Sequence, residues 1–157
     1  MSSSTSSSDP AMNGLVRDAV VRAVTVIGLT GVALIHVLDA HDTFVSTPYK
    51  GWLYVGLILG CLGTAAMLIR GNDRRAWLAA LLFPLGAFLA FVYSRTVGLP
   101  GGADDIGNWW EPLGLASLFV EGGLVALAGA VLAEGAALNA FVPARGRLVT
   151  ANRGGLR

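Results

Sequence analysis

Residues 113–132 read LGLASLFVEGGLVALAGAVL, and Glu121 is the only ionisable side chain in the stretch. A helix of this length rises about 30 Å, the thickness of the hydrocarbon core of a bilayer. A carboxylate inside such a segment costs roughly 2.5–3.5 kcal/mol on insertion scales, so it calls for a partner or a task. The stretch therefore yields a membrane-spanning helix and the first candidate site residue together.

Working outward, three further apolar blocks approach the same length, at about residues 19–38, 49–69 and 76–97. The chain is 54% hydrophobic and only 13% charged, against about 25% charged in ordinary soluble domains. The expected fold class is all-α: a polytopic membrane protein with four transmembrane helices. The expected organisation is a disordered Ser-rich N-terminal tail over 1–16, a four-helix transmembrane domain over 17–140 and a basic tail over 141–157. Trp52, Tyr54, Trp77 and the pair Trp109-Trp110 stand where interfacial aromatic belts lie. Pro84, near the middle of the third block, removes one backbone donor and is expected to kink that helix.

Basic residues set the expected orientation. Of the eleven Lys and Arg residues, all but Lys50 and Arg95 fall in the N-terminal flank, the hinge between the second and third blocks, or the C-terminal stretch. The positive-inside rule then puts both termini and the Gly71-Asn72-Asp73 hinge in the cytoplasm, with the 38–49 and 95–112 connections outside. A cleaved signal peptide over the first block is a rival reading. It would place the Arg70 to Arg75 hinge and the Arg-rich tail on opposite sides of the membrane, against the same rule. The net charge of +1, with no basic patch, points away from nucleic acid as a partner. Cys61 is the only cysteine, which leaves no intrachain disulfide and no multi-cysteine metal site. No cofactor is expected.

The outer connections are acidic and hold both histidines. Asp39, His41, Asp42, Asp104, Asp105 and Glu111 form a candidate external cluster. Together with His36, the spacing His36-x-x-Asp39-x-His41-Asp42 offers imidazole and carboxylate ligands suited to a divalent cation, while solvated loop acids are the plainer account. Two histidines five apart do not stack on one helical face, which weighs against bis-histidine haem.

Helical spacing puts Arg22, Thr25, Leu29, Val32, His36 and Asp39 on one stripe of the first block, and Gly114, Ser117, Glu121, Val125 and Ala128 on one stripe of the fourth. Contact between the stripes would give Glu121 polar neighbours. Arg95, whose long side chain reaches inward, is its first expected partner and His36 its second, with Ser117 one turn away and Tyr93 as a further candidate. Gly56-x-x-x-Gly60, extended by Gly63, permits close helix approach, within the bundle or between copies. The Gly- and Pro-rich segment 98–112 reads as a shaped turn anchored by its tryptophans, or as a lid.

Three motifs carry a resemblance: His36-x-x-Asp39 at the end of the first helix, Thr47-Pro48-Tyr49-x-Gly51 opening the second, and Ser94-Arg95-Thr96-x-Gly98-Leu99-Pro100-Gly101 leading to Gly107-Asn108-Trp109-x-Glu111-Pro112-x-Gly114. Together they resemble a group of small four-helix bacterial integral membrane proteins of unknown function. The likeness runs from about Val24 to Ala133. It implies a multi-pass protein of the bacterial plasma (inner) membrane and contributes no catalytic residue. Small multidrug exporters, which also own one membrane Glu, carry it in their first helix; here it lies in the last.

No nucleophile–base constellation, phosphate loop or complete metal motif is present in the sequence. The expected function is a non-catalytic binding or accessory component of a membrane assembly, in contact with lipid and with a membrane protein partner or a second copy. The alternative is a small proton- or cation-coupled transporter, acting as an oligomer, with Glu121 as the titrating site.

Overall fold

The computed structural model describes the backbone of residues 10–153 and the side chains of residues 12–137. Its architecture is all-helical: α1 (Pro10–Ser46), α2 (Pro48–Arg70), α3 (Arg74–Thr96) and α4 (Pro112–Arg153), with one 3₁₀ turn at Ala103–Asp105. All four α-helices are long and apolar enough to cross a membrane, the architecture of a multi-pass membrane protein. Each carries large apolar side chains that face outward, among them Ile27 at 70%, Leu59 at 65%, Leu82 at 61% and Phe119 at 84% exposure. Helices that are apolar on every side have no stable place in water.

Local chemistry marks the corners. Thr47 caps α2 with Pro48 at its first position, where the missing N–H costs nothing. At the 71–73 hinge, Asp73 caps α3 by accepting a hydrogen bond from the Arg75 N–H at 3.0 Å. The Trp77 indole N–H donates to Asn72 Oδ1 across the same corner. Pro84 lies buried within α3, which continues through it as one helix.

The helices pack as a square in which each contacts its sequence neighbour and α4 closes back on α1. An ion pair of 2.8 Å between Arg17 of α1 and Glu134 of α4 shows that both terminal helices end on one side of the bundle. The hinge 71–73 lies on this arginine-rich end, and the Thr47 corner and the 97–111 loop form the opposite, loop end. Between the loop end and a smaller cavity of about 260 Å³ at the arginine-rich end, the interior is packed: Leu29 and Val32 from α1, Ala65 and Leu68 from α2, Trp77 and Ala80 from α3, and Leu124 and Ala128 from α4 are all buried together. Gly28 admits the Leu124 side chain, and Gly60 admits the Phe83 ring, so close that a Cβ at either position would collide.

Two boundaries differ from the sequence expectation. Residues 10–16, expected in the N-terminal tail, are already helix, begun by Pro10 at the position where proline is best tolerated. The backbone from 141 to 153, expected as a tail, continues α4 without a break. Residues 1–9 and 154–157 of the expected tails lie outside the described residues.

Candidate functional site

Toward the loop end the four helices diverge around a cavity of about 790 Å³. Its walls are mostly apolar, built from Leu53 and Leu57 of α2, Phe83, Ala87 and Phe91 of α3 and Leu113 of α4. Two glycines, Gly56 and Gly86, line it with open space where a Cβ would stand. Gly60 therefore packs against a neighbouring helix, whereas Gly56, four residues earlier, opens on the cavity.

Glu121 lines this cavity while being only 1% exposed. The Ser117 hydroxyl donates to its Oε1 at 2.6 Å, and His36 Nε2 stands 3.9 Å from that same oxygen. Glu121 Oε2 is buried and has no hydrogen-bond partner, an arrangement that is costly unless something else satisfies it. His36 Nδ1 lies 2.9 Å from the Val32 carbonyl. A carbonyl only accepts, so Nδ1 carries the proton and Nε2 is the atom left facing Glu121. The Tyr54 ring meets the imidazole edge-on, with centroids 4.7 Å apart. The Tyr54 hydroxyl donates to Asp39 Oδ2 at 2.9 Å, and Thr43 donates to the same atom at 3.3 Å.

At the mouth, Arg95 is the centre of a second polar cluster. Its Nη1 donates to Asp105 Oδ1 at 2.7 Å, its Nη2 to Glu111 Oε2 at 2.8 Å, and its guanidinium lies 4.7 Å over the Phe91 ring. Lys50 Nζ reaches the other Asp105 oxygen at 2.8 Å. Partial burial alone would raise the Asp105 carboxyl, but the hydrogen bonds and charges of Lys50 and Arg95 outweigh it and hold it below its ordinary value. The loop that supplies Asp105 is fixed by backbone geometry: Gly98, Gly101 and Gly107 all adopt positive φ, a region that L side chains rarely enter. The Tyr49 hydroxyl donates to the Pro100 carbonyl at 2.8 Å, and the Gly107 N–H donates to the Arg95 carbonyl at 2.9 Å.

The two stripes read from the sequence do face each other: Thr25, Leu29, Val32 and His36 of α1, and Gly114, Ser117, Glu121 and Ala128 of α4, are buried. The ranking of partners for Glu121 is corrected. Arg95 does not reach it, because its fork is occupied by Asp105 and Glu111 and Glu121 lies about 13 Å further along α4. His36 and Ser117 take its place. Tyr93 is half exposed and does not line the cavity that Glu121 lines.

The external acids do not converge on a point. His41, Asp42 and Asp104 are exposed, Asp39 turns toward Tyr54, and Asp105 and Glu111 turn toward Arg95. Among the described residues no group of three or more His, Cys, Asp or Glu side chains is placed to hold a metal ion. Sequence reasoning missed the Tyr54–Asp39 and Lys50–Asp105 pairs. The tight corner at Thr47 was the available signal, since folding α2 back antiparallel on α1 sets Tyr54 at the depth of His36. Comparison of the chain with family models, curated proteins and solved structures gives no match.

Proposed function

We propose that this chain is a binding component of a membrane assembly, holding a small amphipathic molecule in the cavity beneath the 97–111 loop. The observation that carries the reading is the asymmetry of the interior: a large cavity at one end is closed below by packed side chains from all four helices. A cavity of this volume, mostly apolar with a few convergent polar groups, has the character of a small-molecule site. Its blind floor favours holding over passage.

In this reading the protein is a multi-pass protein of a bacterial plasma membrane, akin to the small four-helix group that its motifs resemble. The arginine-rich end faces the cytoplasm and the cavity opens outward. Exposed Trp52 and Trp110 ring the loop end, as side chains at a membrane–water boundary do.

The test is to fill the cavity. Gly56→Phe and Gly86→Phe place a ring where the structure has open space, so both variants are expected to fold. Native mass spectrometry of protein extracted from its own membrane should show a stoichiometric small molecule on the unaltered chain and none on the filled variants. An empty unaltered chain, or a ligand that survives filling, refutes the reading. Turnover of a substrate by the isolated chain would also end it.

One observation favours a second reading, a proton- or cation-coupled carrier acting as an oligomer. Glu121 keeps one carboxylate oxygen unpaired in the middle of its span, as ion-coupling carboxylates do. Glu121→Gln should then abolish ion-driven flux in liposomes, and unchanged flux excludes it.

A further inference from the structure

We infer that the molecule held in this cavity is a lipophilic organic cation, an ammonium or amidinium carried on an apolar body, whose charged end pairs with the Glu121 carboxylate. The inference rests on the binding reading above and adds the chemical class of the ligand. It stands on three observations. First, Glu121, which lines the cavity, keeps a buried carboxylate oxygen with no hydrogen-bond partner. Second, the charges of the fixed cations at the mouth are already balanced: Arg95 and Lys50 are paired with Asp105 and Glu111, two bases against two acids, with Arg95 Nε left without a hydrogen-bond partner. Asp39 and Asp42, which also line the cavity, are left without a basic partner in the cluster, so the passage from mouth to floor favours positive charge.

Third, the cavity wall is mostly apolar and includes the Phe83 and Phe91 rings, surfaces that suit the body of such a molecule and attract its charge. A bare metal ion is a poor fit, since hard cations require six or so oxygens. The floor supplies the Glu121 carboxylate, the Ser117 hydroxyl and one imidazole nitrogen of His36, well short of such a shell.

Three fluorescent probes with one body and different charge test this: 1-pyrenebutylamine, 1-pyrenebutanol and 1-pyrenebutyrate. Each is titrated at pH 7 against the full chain in zwitterionic nanodiscs, with the Gly86→Phe protein as the blank for partition into lipid. The amine is expected to bind at least tenfold more tightly than the alcohol, and the carboxylate more weakly than either. Glu121→Gln should remove the advantage of the amine over the alcohol. If the alcohol or the carboxylate matches the amine on the unaltered chain while Gly86→Phe still blocks it, the charge inference falls and the cavity reading stands. If no probe binds above the blank, both fall. The comparison among probes needs no variant of Glu121, so a misfolded Glu121→Gln protein does not rescue the inference.

Discussion

Replacing Arg95 by methionine keeps a side chain of similar length over Phe91 and removes the charge at the mouth of the cavity. The Arg95 side chain is only 7% exposed, whereas its partners Asp105 and Glu111 are 35% and 32% exposed. Breaking a fully buried pair by deleting one partner costs about 3–5 kcal/mol, and an exposed pair is worth about 0–1 kcal/mol. With a buried cation and half-solvated acids the loss lies between these limits, at about 2–3 kcal/mol. For a soluble domain of this size each kcal/mol moves the melting point by about 2–4 °C, so Arg95→Met should lower Tm by about 5–10 °C in detergent, followed by tryptophan fluorescence. Adding Glu111→Gln should recover part of the loss, because it removes a carboxylate left without its partner.

The pH dependence gives an independent check on the same cluster. Asp105 is held below its ordinary value of 3.8. Its contribution is therefore complete above the ordinary carboxylate range and drains away as pH falls below about 4 through the lower folded-state value. Arg95→Met should shrink that acid-side loss, since one of the two cations that depress the Asp105 carboxyl is gone. A shift in Tm below 1 °C, or an unaltered acid limb, would refute the account of Arg95 as the pin of the loop.

Two further outcomes follow from packing and placement. Gly60→Val drives a side chain into the Phe83 ring whereas Gly63→Val meets open space, so the first should cost about 1–3 kcal/mol more than the second in thermal unfolding; equal costs would contradict the observed α2–α3 contact. Cys61 is fully buried and is the only native cysteine, so it should resist maleimide in the folded chain. Against that silent background, Trp110→Cys should label with an impermeant reagent added outside intact spheroplasts, and Asn72→Cys only after lysis. The reverse pattern would invert the proposed orientation.

Composition and spacing made much of this protein legible. Four apolar blocks fix four helices because a backbone in hydrocarbon must satisfy its own hydrogen bonds, and the 3.6-residue period sets His36 and Glu121 on inward stripes. Gly98, Gly101 and Gly107 marked a shaped turn, and each does adopt positive φ. The partner of Arg95 was a different matter. Distance along the sequence puts Asp105, Glu111 and Glu121 all within reach of a long side chain, and only the path of the loop decides that two of them meet the guanidinium while the third does not. The helix ends were also invisible as such, since a Pro and a Gly within the short stretch 10–16, and the basic residues from 141 onward, do not forbid helix.

The solvent in which this chain folds, its helices and the inward direction of its one deep carboxylate are properties of local sequence, because hydropathy and helical period act over a few turns. The cavity, its closed floor and the pairing of Arg95 and Lys50 with Asp105 and Glu111 came from tertiary structure alone. They depend on how four helices are spaced and on which side chains meet across the gaps, and those are relations between residues 10 to more than 80 positions apart.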